Sequence, residues 1–256
     1  MSVIKNEIPI LEYDTDSRAV IMPDHEGRDV RLPEAAVLAF VPSETIDRFA
    51  AEHGGRIVSE FLSVTKTYPL WVIEYRGKEI SLVQAPVGAP ASAQILDWLI
   101  AYGAKKIISG GSCGALCDYK EGVFLVPKRA LRDEGTSYHY AAPSRFIDVS
   151  DEARRAIEKA LADRGIKYAE VTTWSTDGFY RETKALTEYR KAEGCSVVEM
   201  ECSALAACAK MRGALWGEIL FTADTLADTD NYDARDFGAS AVDAVLELCC
   251  DAALNV

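Results

Sequence analysis

The chain has 256 residues, 49% of them hydrophobic, and a formal net charge of −12 at pH 7. That length and apolar content suffice for a large core in one domain, while the negative charge excludes the basic footprint of a nucleic-acid surface and leaves any bound phosphate dependent on local organisation. No apolar run approaches the roughly 20 residues of a membrane helix, and the start "MSVIKNEIPILEYDTD" lacks the apolar stretch of a secretory signal.

Seven cysteines without a CxxC pair, and only three histidines, argue against a metal site. They fit reduced, mostly buried thiols in a cytoplasmic protein. Residues 1–33 are polar and punctuated by Pro9, Pro23 and Pro33. They read as an arm packed on a single domain spanning 34–256.

From there the chain alternates. "AAVLAFV" (35–41) suits a strand buried on both faces. "SETIDRFAAEHGG" reads as a helix with Ser43 as N-cap and Gly54-Gly55 as its stop. "LWVIEY" and "EISLVQA", joined through "RGK", read as a hairpin. "PASAQILDWLIAYG" begins on Pro90 and ends on Gly103, the usual helix asymmetry. "KKIIS" reads as a strand entering a glycine-rich loop, "GGSCGAL". In "VFLVPKRAL", Pro127 argues for an edge strand or a bulge.

"SDEARRAIEKALADRG" reads as a helix capped by Ser150 and stopped by Gly165. The strand "KYAEVTTWS" and the helix "KALTEYRKAEG" follow. The short strand "SVVEME" leads into "CSALAACAKMRG", a helix apolar on nearly every face and therefore deeply buried. "WGEILFTA" and "GASAVDAVLELCCDAAL" give the last strand and helix. This alternation predicts an α/β fold with helices on both sides of a sheet, and ligands at the carboxyl ends of strands.

Several residues at those ends suit chemistry. The glycine loop with Ser112, Cys113 and Gly114 suits an anion, or equally close strand–helix packing. Glu199 and Glu201 flank Met200 in an apolar setting. Carboxylates there suit a polyhydroxy ligand such as a ribose diol; the alternatives are arginine pairing or capping of the next helix. Asp224 directly follows a buried strand and suits a proton donor or a turn residue. Phe179 and Tyr180 offer a stacking platform for a base, or a core plug. His139 reads as a satisfied buried histidine rather than a ligand contact.

Taken together, "VVEMECSALAACA", "GGSCGAL", "YRGKEISLVQAPVGAPASAQ" and "DEGTSYHY" resemble, in order, motifs of the nucleoside phosphorylase/nucleosidase superfamily, the purine-nucleoside and uridine phosphorylase type. The resemblance runs from Ala35 to the last helix. It implies a three-layer α/β/α fold with a mixed central sheet, a homo-oligomer (dimer or hexamer), and no cofactor beyond inorganic phosphate as co-substrate. The ligands it implies are a small-molecule nucleoside and phosphate, with no nucleic acid and no membrane.

The same resemblance implies site roles. Met200 and Glu201 hold the ribose, with Glu199 beside them. Ser112, Cys113 and Gly114 face phosphate and sugar, Phe179 stacks on the base, and Asp224 protonates it. Asp224 points to a purine, whereas "TDGFYRET" is closer to the uridine type. Phosphorylases of this kind carry arginines after the first strand and before the glycine loop. Here the first is displaced to Arg48 and the second is replaced by Ser109. Lys66 matches a third basic position, one donated by a neighbouring subunit, so Arg48, Lys66 and Ser112 are the candidate phosphate ligands. Glu44 lies near where nucleosidases of this fold carry a water-activating glutamate. The resemblance therefore implies phosphorolysis, with hydrolysis and non-catalytic nucleoside binding as alternatives.

Overall fold

In the computed structural model, which describes residues 3–256, the apolar runs meet in one mixed ten-stranded sheet. β1 (Ala35–Ala39), β4 (Lys78–Gln84) and β5 (Lys106–Ala115) are parallel, with Val37 between Leu82 and Ile108. Helices cover both faces of these strands, so their sequences are continuously apolar. β3 (Thr67–Tyr75) and β4 form the expected hairpin, turning through Arg76 and Gly77, both at positive φ. Such a turn matches the right-handed twist of paired strands. β2 (Arg56–Leu62) extends this side as an edge strand. The sequence reading passes over it, because its residues are mostly exposed and show no core-facing alternation.

Beyond β5 the sheet closes on itself. β5 pairs with β10 (Leu215–Thr225) and β10 with β6 (Phe124–Asp133). β6 pairs with β8 (Tyr168–Thr176) and, at an edge, with β7 (Phe146–Asp148). β8 pairs with β9 (Val197–Glu199), which returns to β5 at Gly114 and Ala115. Pro127 lies where the β6–β8 register shifts, the bulge its missing N–H demands.

Two apolar clusters lie on opposite faces. On one, α1 (Ser43–Glu52), α4 (Asp151–Asp163) and α7 (Val242–Asn255) bring Phe49, Ile157 and Leu246 together. On the other, α2 (Ala89–Ala101) and α6 (Cys202–Arg212) bring Leu96, Leu205 and Trp216 together. The short α3 (Ser137–Tyr140) and α5 (Lys184–Ala192) complete the fold. Ser150 caps α4 by accepting from the Ala153 N–H, as its position predicts. Ser43 does not cap α1. Pro42 takes the cap position, its carbonyl accepting the Thr45 and Ile46 N–H groups, and Ser43 is the first helical residue.

The glycine-rich segment needs a larger correction. Residues 110–115 are not a loop but the second half of β5, laddered to β10. Their glycines serve close packing. A Cβ on Gly110 would lie 2.5 Å from Cys249 Sγ of α7, and one on Gly111 would lie 2.8 Å from Phe40 Cβ. Residues 3–33 run outside the sheet with one 3-10 turn, Pro9–Leu11. They are tied down where the Leu32 N–H donates to the Tyr102 carbonyl at 2.8 Å. No helix among the described residues is long and apolar enough to cross a membrane.

Candidate active site

The C-terminal ends of β5, β9 and β10 converge on a cavity of about 210 Å³. Ser112, Cys113, Gly114, Met200, Glu201 and Asp224 line it. Phe179 and Glu199 line it too. A larger cavity of about 650 Å³ lies between the N-terminal arm and the body, against Trp98 and Arg212, and holds none of these residues. His139 lines that second cavity and is exposed there, not buried as expected, because α3 is one turn on the surface.

Glu199 is consumed by the fold. Its Oε1 accepts from Ser175 Oγ at 2.6 Å and Thr173 Oγ1 at 3.1 Å. Its Oε2 accepts the Glu201 and Cys202 N–H groups, both at 2.6 Å. These N–H groups open α6, so Glu199 supplies the cap that the sequence allowed as an alternative. Burial raises its pKa, and the hydrogen bonds oppose that.

Glu201 bridges two helix starts. Its Oε1 accepts the Gly88 N–H at 2.5 Å, and its Oε2 accepts the Met200 N–H at 3.2 Å. Gly88 opens α2 at φ +101, a conformation that a side chain would strain. Burial, then the charge of Glu199, pushes Glu201 up to about 8.

This shift has a stability consequence. A carboxyl whose folded pKa lies above its unfolded value stabilises fully below the unfolded pKa, and that contribution is lost as pH rises through the folded pKa. For Glu201 the window runs from about 4.5 to about 8. Glu182, pushed to about 7 by burial and by Asp224, acts with the same sign. Glu193, held low by Arg145, loses its contribution only under more acid conditions. The melting temperature should therefore fall between pH 5.5 and pH 8.5, and Glu201→Gln should flatten that fall. A flat or rising wild-type profile in differential scanning calorimetry would contradict the assignment.

Asp224 ends β10 and is 7% exposed. Burial raises its pKa, while a hydrogen bond from Tyr232 and the charge of Arg235 lower it less. Gly114 admits it closely, since a Cβ there would lie 3.3 Å from Asp224 Oδ1. A buried carboxyl of raised pKa is equipped to hand a proton to a ligand. Phe179 lies at the mouth in a 3-10 turn, half exposed and edge-on to Tyr180. Ser112 is exposed to the cavity. Cys113 is buried and its thiol donates to the Phe221 carbonyl.

The basic candidates lie elsewhere. Arg48 is exposed on α1 and pairs with Asp243 of α7. Lys66 Nζ bonds Gln84 Oε1 at 2.5 Å and sits over the Tyr68 ring. Glu44 is exposed in the first turn of α1. None of the three lines the cavity. Ser109 is fully buried and accepts from Trp216 Nε1 at 2.9 Å.

Four acidic or aromatic contributors escape the sequence reading: Glu182, Glu218, Phe40 and Phe237. Glu218 had a signal, a lone carboxylate inside the apolar run "WGEILFTA". It pairs in register with Ser109, is 1% exposed, and its Oε2 has no hydrogen-bond partner. Glu182 and Phe40 lie outside regular elements and had none. Among the described residues no Lys, Arg or His lines this cavity.

Comparison with known proteins bears on this geometry. The chain is 25% identical over 162 residues to a guanosine phosphorylase of Halorubrum lacusprofundi, covering 63% of this chain and 67% of that protein. It superimposes on a purine nucleoside phosphorylase of Toxoplasma gondii with a TM-score of 0.73 at 22% identity, over 89% and 92% of the two chains. It superimposes on an AMP nucleosidase of Bacteroides thetaiotaomicron with a TM-score of 0.67 at 25% identity, over 86% of each. The match to the family model "Phosphorylase superfamily" spans residues 34–254, which takes in every strand and helix that builds the cavity. On that span, and with the mixed sheet and its helix layers in the arrangement of the solved relatives, the chain belongs to the phosphorylase superfamily.

Proposed function

We propose that this protein cleaves the N-glycosidic bond of a nucleoside, with a purine as the leaving base. The observation that carries the reading is the placement of Asp224 and Glu201 in one cavity, both buried and both with raised pKa. Bond cleavage builds positive charge on the ribose and negative charge on the base. Asp224 meets the second need by protonating the base. Glu201 and Met200 hold the ribose, and Phe179 covers the base at the mouth.

Phosphate as acceptor is supported by the phosphorylases among the relatives. A second reading, water as acceptor, is favoured by the lining itself, which among the described residues contains no cationic side chain. The test is to incubate purine and pyrimidine nucleosides with the protein, with and without phosphate, and follow free base. Base release from a purine nucleoside is expected. Tight nucleoside binding without release would replace catalysis by a binding function.

A further inference from the structure

The cavity that receives Asp224 and Glu201 also receives Glu218, and nothing in the fold uses one of its oxygens. Glu218 lies mid-strand in β10, where a charged residue has no structural advantage. Its thiol neighbour Cys202, at the head of α6, takes up one hydrogen bond. Oε2 is buried and unpartnered, and Glu218 lines the cavity. Buried polar atoms are almost always satisfied, so an orphan on a residue that lines a cavity marks a ligand or water position.

The surroundings define what can sit there. Glu199 and Glu201 face Glu218 from the β9–α6 turn. The titratable thiols around it are Cys202 on α6, Cys113 on β5 and Cys249 on α7. An anion placed against this wall meets acids and no cation among the described lining residues. Water meets an acceptor. We propose that Glu218 holds the attacking water and bars phosphate, so that the ribosyl group passes to water.

This inference rests on the glycosidic-cleavage reading above. The C1′–N bond breaks and its electron pair leaves with the base, which takes the proton of Asp224. The water oxygen bonds to C1′, and the proton it loses goes to the carboxylate of Glu218. Return of that proton to Asp224 through solvent restores both groups. The products are free base and free ribose.

The experiment uses the whole protein with a purine nucleoside in ¹⁸O-labelled water, with and without inorganic phosphate. Expected are free base, ribose carrying the label at C1, and a rate indifferent to phosphate. Release that requires phosphate and yields ribose-1-phosphate overturns the water assignment and leaves cleavage standing. No release from any nucleoside overturns cleavage itself. Glu218→Gln should lower kcat about 100-fold, the low end for a lost general base, with KM little changed; wild-type turnover in that variant overturns the role of Glu218. If the variant does not fold, the wild-type pH profile decides. Glu218 must be ionised while Asp224 is protonated, so kcat should rise and then fall as pH crosses the range of raised carboxyl pKa values. A kcat flat across that range overturns the role.

Discussion

Asp224→Asn should lower base release from a nucleoside by about 10²–10⁴-fold, the usual worth of a general acid or base, while nucleoside affinity changes little. Asn keeps the shape and can still accept from Tyr232, whose hydroxyl bonds the Asp224 carboxylate. It cannot deliver a proton. The loss should therefore fall on kcat, the signature of an interaction made in the transition state. Substrates whose base leaves readily without protonation should be hurt least, which separates a lost acid from a damaged pocket. Steady-state kinetics on a poor and a good leaving group, with calorimetric binding on the variant, checks both parts. Equal losses on the two substrates would remove Asp224 as the acid.

Glu199→Ala should cost about 3–5 kcal/mol of folding stability, because each orphaned buried donor costs about 1–3 kcal/mol. Truncation abandons the hydroxyls of Thr173 and Ser175 and the N–H groups of Glu201 and Cys202. Set against the roughly 5–15 kcal/mol of typical domains, about a fifth of the stability or more goes. Glu199→Gln should recover little. Its amide oxygen replaces one acceptor, but its NH₂ faces donors on the other side. Urea midpoints measure the effect, and a loss under about 1 kcal/mol for Ala would mean that water replaces the cap. Activity should fall with stability in both variants, since Glu199 fixes the turn that aims Met200 and Glu201.

The division of labour between Glu199 and Glu201 was not visible in their sequence. Both stand in one apolar run, two residues apart, and either suited a ribose contact. The chain closes against β8, where Thr173 and Ser175 reach Glu199. Glu201 instead faces the start of α2 and the cavity. Partners 24 and 113 residues away decided which carboxylate caps and which lines the cavity. Arg48 shows the same dependence in reverse. The family resemblance suggested a phosphate ligand, and α7 supplies Asp243 to pair it on the surface.

Local order was determined by the sequence itself. The Ser150 cap, the Pro90 and Gly103 ends of α2 and the Arg76-Gly77 turn each rest on bonds within a few residues. So does the burial of the strands and of α6, which follows from apolar residues on every face. The tertiary structure alone decided that residues 110–115 continue a strand, since that requires β10 alongside and α7 pressed onto Gly110. It alone brought Glu218 to the cavity wall without a partner for Oε2. The physical reason is range. Caps, turns and hydrophobic period are properties of neighbours in the chain, whereas the charge and hydrogen bonding of a buried carboxyl depend on groups that only folding brings near.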